Sequence, residues 1–166
     1  MSVNKSLFVY VLALLIMLFT LSEPVWAKKY TVSGDSMLPT LKPGDKVKLL
    51  VRPPEQIKRG ALVAIKFSSR KRKMVKRLIA MAGDRVEIIQ GQVKLNGTWL
   101  DTSWWPASRR LEKRRYKLLA IQLSRYNHII PTGSVVVMGD NIKRSFDSGK
   151  YGLVSVKQIL GEIKLI

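Results

Sequence analysis

Cysteine is absent from this 166-residue chain and histidine occurs once. Without a thiol there is no thiol catalysis, no disulfide and no cysteine-ligated zinc, and the chain suits either side of a membrane. The lone histidine, His128, reads as a structural or solvated residue rather than a catalytic base, and a multi-histidine metal site is excluded. Neither a metal nor a cofactor is expected. Acidic residues are also scarce, with 11 Asp and Glu against 30 Lys and Arg and a formal net charge of +19. That balance points to a polyanionic partner, either nucleic acid or an anionic lipid surface. The densest clusters are Arg70-Lys71-Arg72-Lys73 and Arg109-Arg110 with Lys113-Arg114-Arg115. Solvated loops on a basic protein account for them equally well.

One long apolar run is present, Leu7 to Leu21, about fifteen residues preceded by Lys5. A spanning helix needs roughly 20 residues, so the run spans a bilayer only with recruitment of Ser6 and the segment up to Trp26, a residue type suited to the interface. The length also fits the apolar part of a cleavable signal peptide, with Val25-Trp26-Ala27 at the cleavage position. An uncleaved anchor over residues 1–27, followed by an exported domain over 28–166, is the favoured division. Lys28-Lys29 weaken the inference of orientation, because positive charge prefers the cytoplasmic side.

Beyond Ala27 the apolar residues fall into short runs separated by turn residues, the pattern of many short strands. Strands are expected over Val47–Val51, Leu62–Phe67, Arg85–Ile89, Gln92–Leu95, Thr98–Leu100 and Ser134–Met138. Asn96-Gly97 between two such runs predicts a tight hairpin, since both turn positions need positive φ. Arg110–Leu123 reads either as a basic amphipathic helix or as an irregular insertion. Neither repeats nor low-complexity linkers occur. The fold class is therefore mostly β, a compact β domain with an N-terminal transmembrane helix.

Three segments carry the chemistry. The first is Ser33-Gly34-Asp35-Ser36-Met37-Leu38-Pro39-Thr40-Leu41, followed by Pro43-Gly44-Asp45; the second is Val75-Lys76-Arg77-Leu78-Ile79-Ala80-Met81-Ala82-Gly83-Asp84. The third is Met138-Gly139-Asp140-Asn141, then Ser145-Phe146-Asp147-Ser148 and Tyr151-Gly152. A serine hydroxyl is a weak nucleophile until a base takes its proton. A lysine serves as that base if its pKa falls from roughly 10.4 towards neutrality. Apolar burial lowers it and nearby positive charge lowers it further; Val75, Leu78 and Ile79 offer the first and Arg77 the second. Taken singly, Ser36 reads as a turn residue and Lys76 as a strand-edge surface lysine.

In this order the three segments closely resemble the type I signal peptidases, membrane-bound proteases that use serine and lysine, and the spacing resembles the compact, Gram-positive-like members. The resemblance runs from about Thr31 to the C-terminus. It implies that Ser36 is the nucleophile and Lys76 the general base, with Ser145 orienting the lysine amine and the Ser36 N–H contributing to an oxyanion hole. Gly34 stands where some members carry a serine that adds a second donor. The resemblance also implies that Val32, Met37, Leu41, Met74 and Val75 line small apolar pockets for an Ala-X-Ala substrate, bound extended between the strand leading into Ser36 and the one carrying Lys76. Core packing is the alternative reading of each of these five. Arg77, Asp140, Asn141 and Asp147 are implied as supporting residues. One departure is Gly149, where the family usually has arginine; Lys150, Arg144 or Lys143 are candidate substitutes, though lysine lacks the planar fork.

The implied activity is a serine endopeptidase that removes signal peptides from exported preproteins. It would be a single-pass protein of the bacterial cytoplasmic membrane with an extracytoplasmic catalytic domain. The implied partners are preproteins and the lipid bilayer, with attraction to anionic lipid; specific nucleic-acid binding is not expected. Trp99, Trp104, Trp105 and Pro106 fit an interfacial cluster or core tryptophans. The alternatives are a pilin-processing peptidase of a conjugation system, an inactive basic membrane scaffold and a nucleic-acid-binding protein.

Overall fold

The computed structural model describes residues 27–67, 73–100 and 116–166. Ten strands form two antiparallel sheets: β1 (Ala27–Thr31), β2 (Lys46–Leu50), β3 (Leu62–Ile65), β4 (Met74–Ala80), β5 (Val86–Ile89), β6 (Gln92–Leu95), β7 (Thr98–Trp99), β8 (Ser134–Met138), β9 (Val154–Ser155) and β10 (Ile159–Leu165). Seven of them make one sheet in the order β1-β2-β10-β3-β4-β8-β9, and β5-β6-β7 make a small second sheet. The mostly β expectation is met.

Alternation sets the faces. In β2 the sequence Lys46-Val47-Lys48-Leu49 is alternately exposed and buried, so its valine and leucine enter a core cluster with Met37, Leu41, Ala64 and Ile163. Strand β8 and the C-terminal half of β4 bury apolar residues on both sides and feed two further clusters. One holds Leu78, Val135 and Val137; the other holds Ile79, Val136 and Met138 and extends to Val86 and Val93 of the small sheet. Asn96 and Gly97 adopt φ of 49° and 84°, the positive values expected of the hairpin turn.

The described residues also hold two α-helices, α1 (Lys117–Arg125) and the single turn α2 (Ser148–Tyr151), and three short 3-10 turns. Helix α1 falls in the C-terminal part of the stretch whose sequence left helix and insertion open. It buries Leu119 and Leu123, four apart on one face, while Leu118 and Ile121 stay exposed. The basic clusters at 70–72 and 109–115, Trp104-Trp105-Pro106 and the apolar run Leu7–Leu21 lie outside the described residues. Among the described residues no helix is long and apolar enough to cross a membrane. Trp99 is half-exposed, with the Lys94 amine 5.6 Å from its ring centre.

Strand β10 is the element least visible in the sequence. Gly161 sits in it with φ of 144° at a register shift, and a Cβ there would collide with the Leu50 carbonyl. Only glycine tolerates that combination, and the resulting bulge breaks the alternation by which a strand is read.

Candidate active site

Ser36 follows β1 in a turn, and Lys76 lies in the middle of β4. The two strands are not neighbours, since β2, β10 and β3 lie between them. The side chains nevertheless meet, and Lys76 Nζ is 2.7 Å from Ser36 Oγ. The amine also donates to the Val75 carbonyl at 2.9 Å. Lys76 is 2 % exposed. Burial lowers its pKa from 10.5 to about 8, against the pull of the Asp147 and Asp140 carboxylates, which raise it. The sequence reading gave Arg77 a share in that depression, and the structure corrects it. Successive strand residues point to opposite faces, so the Arg77 guanidinium lies away from the amine. It forks onto Asp140, with Nε–Oδ1 at 2.8 Å and Nη2–Oδ2 at 2.5 Å, and also donates to the Gly60 carbonyl.

Residues 139–147 close the site from the other side. The Asn141 N–H donates to the Ser36 carbonyl and its side-chain amide to the Asp35 carbonyl, both at 3.0 Å. Asp140 takes Arg77 and the Thr40 hydroxyl, tying the segment to β4 and to the turn after Ser36. Asp147 accepts from the Gly139 and Gly149 N–H groups at 3.1 Å each and caps α2. Asp140, Asn141, Asp147 and Arg77 thus converge around the Ser36–Lys76 pair.

Ser145 is buried beside them, but its hydroxyl has no hydrogen-bond partner among the described residues. The bonds of the Lys76 amine go to Ser36 and Val75 instead. Ser145 Oγ rests against Gly139, so closely that a Cβ on Gly139 would clash with it and with the Ser36 carbonyl. Of the candidate substitutes for the missing arginine at 149, Arg144 pairs with Asp35 at 3.1 Å and Lys150 lies 5.8 Å from the Phe146 ring centre. Backbone N–H groups, with Arg77 on the neighbouring acid, hold the carboxylates here.

A cleft of about 670 Å³ runs past Ser36 and Lys76. Val32, Met37, Met74 and Val75 line it, whereas Leu41 is not among its lining residues and packs in the core with Val47 and Leu49. Gly34 also faces the cleft, with open space where a side chain would project. Sequence reasoning missed Tyr30, Ala64, Phe146 and Ile163, which complete the walls. Ile163 belongs to the cryptic strand β10, Phe146 lies inside the third segment where no role was assigned to it, and Tyr30 and Ala64 belong to none of the three segments. At one end Lys73 spans the cleft to the Tyr30 hydroxyl at 2.7 Å. No group of potential metal ligands occurs among the described residues.

The arrangement is a hydroxyl, a desolvated amine and an adjacent cleft able to hold an extended chain. The Ser36 N–H has no hydrogen-bond partner among the described residues, so it is available to a ligand. The chain is similar to several known proteins. A signal peptidase I of Bacillus licheniformis is 34 % identical over 161 residues, 94 % of this chain and 81 % of that one. Signal peptidase IB of Staphylococcus aureus (strain COL) is 30 % identical over 144 residues, 81 % of this chain and 74 % of that one. A crystal structure of a signal peptidase I from Enterococcus faecalis V583 superposes with a TM-score of 0.49 at 24 % identity, covering 64 % of this chain and 96 % of that one. Residues 3–166 match the family described as signal peptidase, peptidase S26. The chain belongs to that family, and with it to the serine endopeptidases.

Proposed function

We propose that this protein removes signal peptides from exported preproteins, with Ser36 as nucleophile and Lys76 as general base. The observation that carries the reading is the buried Lys76 amine at 2.7 Å from the Ser36 hydroxyl, its pKa lowered to about 8. In the neutral form the amine accepts the Ser36 proton as Oγ attacks the scissile carbonyl. The Ser36 N–H stabilises the oxyanion of the tetrahedral intermediate. Collapse of that intermediate breaks the C–N bond, and the lysine returns its proton to the leaving amine. Water, deprotonated by the same amine, then hydrolyses the acyl-serine. Ser145, whose buried hydroxyl has no partner among the described residues, orients the lysine amine during the reaction.

The substrate lies extended in the cleft. Val32, Met37, Met74 and Val75 limit the side chains accepted before the scissile bond to small ones, which favours an Ala-X-Ala sequence. Residues 7–21 anchor the chain in the membrane, with the domain from residue 28 on the extracytoplasmic side. The run is of the residue type and nearly the length that a span requires.

The test compares full-length protein in detergent or lipid with its Ser36→Ala and Lys76→Ala variants, on a preprotein carrying an Ala-X-Ala site. Cleavage at that site, lost in both variants, is the expected result. A correctly folded wild type that leaves generic preproteins uncut would overturn the general role and point to a single dedicated substrate.

A further inference from the structure

Lys73 and Tyr30 meet at the far end of the cleft, where the Ser36–Lys76 chemistry has no use for them. Lys73 directly precedes β4 and Tyr30 lies in β1, strands separated in the sheet by β2, β10 and β3. The Lys73 amine nevertheless donates to the Tyr30 hydroxyl at 2.7 Å and lies 4.4 Å from the centre of its ring. Val47 of β2, Ile163 of β10 and Ala64 of β3, one residue from each intervening strand, line the same cleft. The pair therefore bridges the cleft from wall to wall. Lys73 is exposed and Tyr30 half-buried.

Charge is unbalanced at this end. Lys73, Lys76 and Arg144 line the cleft against a single acid among the described residues, Asp35. Arg144 takes Asp35 at 3.1 Å, and Lys76 has the Asp147 and Asp140 carboxylates near it. Lys73 has no carboxylate partner among the described residues. Its ammonium carries three N–H donors, of which Tyr30 takes one. The ring contact orients the amine but leaves its charge uncompensated.

The strands fix which part of a substrate meets this pair. The inference rests on the proposed cleavage at Ser36, with small side chains one and three residues before the scissile bond against Val32, Met74 and Val75. Tyr30 lies two residues beyond Val32 on the side away from Ser36, and Lys73 one beyond Met74 on the side away from Lys76. At roughly 3.3 Å per residue, two further residues of an extended substrate reach from the third position to the fifth. Residues one, three and five point to the same side of an extended chain, so the fifth side chain enters the cleft as the first and third do. We infer that Lys73, held by Tyr30, is a specificity-determining residue that receives an acidic side chain five residues before the scissile bond. The carboxylate accepts from the free N–H groups of the amine, while Tyr30 keeps its own bond and fixes the amine across the cleft. A contact this far from the reacting carbonyl holds substrate and transition state equally, so it acts on KM and leaves kcat alone.

The test uses full-length protein in detergent and soluble peptides with one Ala-X-Ala site, carrying Asp, Asn or Lys at the fifth position. KM should rise from Asp to Asn to Lys, roughly two- to fivefold per step as for an exposed ion pair, at unchanged kcat. Sodium chloride should compress the series. Lys73→Gln should abolish the order, Lys73→Arg keep it and Lys73→Glu invert it. Lys157→Gln, at an exposed lysine outside the cleft, should behave as wild type. Equal KM for the three peptides with wild type overturns the subsite, and an order that survives in Lys73→Gln overturns its assignment to Lys73. A preference for acid at the third or seventh position but not the fifth overturns the placement. If folded wild type cuts none of the peptides, the Ser36–Lys76 reading fails, and the same peptides are titrated for binding by fluorescence. Tighter binding of the Asp peptide, lost in Lys73→Gln, then still supports the acid subsite, whereas equal Kd overturns it.

Discussion

At the scale of single residues the decisive quantity is the charge on Lys76. Burial puts its pKa at about 8, so kcat/KM should rise with pH, level off above about 8, and follow the neutral amine. A pH profile on a soluble peptide checks this, and a flat profile between pH 6 and 9, roughly one unit or more either side of that pKa, would sink Lys76 as the base. The same depression costs stability. The folded pKa lies below the unfolded value, so the unfolded chain holds more protons between about 8 and 10.5 and stability rises with pH across that window. Below about 8 the penalty is fully present, about 3 kcal/mol at 1.36 kcal/mol per pH unit. Lys76→Met should therefore be inactive yet more stable at neutral pH, and urea denaturation at pH 7 and pH 10 reads the difference. Sequence could name Ser36 and Lys76 because each lies in a distinctive stretch. It could not tell that Asp147 and Asp140 oppose the shift, because carboxylates more than sixty positions away in the chain become neighbours only after folding. Gly139 is a second sensitive point: Gly139→Ala would drive a methyl into Ser145 and the Ser36 carbonyl. Loss of most activity is expected, with less loss of secondary structure by circular dichroism.

At the scale of elements, ion pairs tie strands to loops. Asp140 has a fully buried side chain and Arg77 one that is 12 % exposed. Removing one partner of such a pair strands the other charge, so Arg77→Ala should cost about 3–5 kcal/mol. Arg77→Lys should recover only part of that, because an ammonium cannot replace both prongs of the fork. Denaturant midpoints of the two variants test the order. Asp84 plays the equivalent part between β4 and the small sheet. Burial alone would raise its pKa, but hydrogen bonds from Arg59, Asn96 and the Met81 N–H outweigh it and hold the carboxyl below its ordinary value. The elements themselves were largely legible. Alternation located β2, a continuous apolar run located β3, and the two positive-φ residues located the hairpin between β6 and β7. Legibility failed where a strand is irregular: in β10, Gly161 and the buried Glu162 hide the pattern.

At the scale of the whole molecule, the net charge of +19 opposes compaction through self-repulsion. Adding sodium chloride screens that repulsion, and should raise Tm by a few degrees, on the order of 1 kcal/mol. A salt series by calorimetry reads it, and a falling Tm would show that specific ion pairs outweigh the net field. The large sheet's strand order carries a consequence for timing. Strand β10, the last in the chain, inserts between β2 and β3. On one side of it lies the pair β1-β2, which leads to Ser36; on the other lies β3-β4, which carries Lys76. Before β10 is in place no ladder joins the two halves, and only the loop contacts of residues 139–147 link the Ser36 turn to the strand of Lys76. A chain in which that strand has not yet inserted is therefore a protease in two unassembled pieces, harmless to itself and its surroundings until the sheet closes.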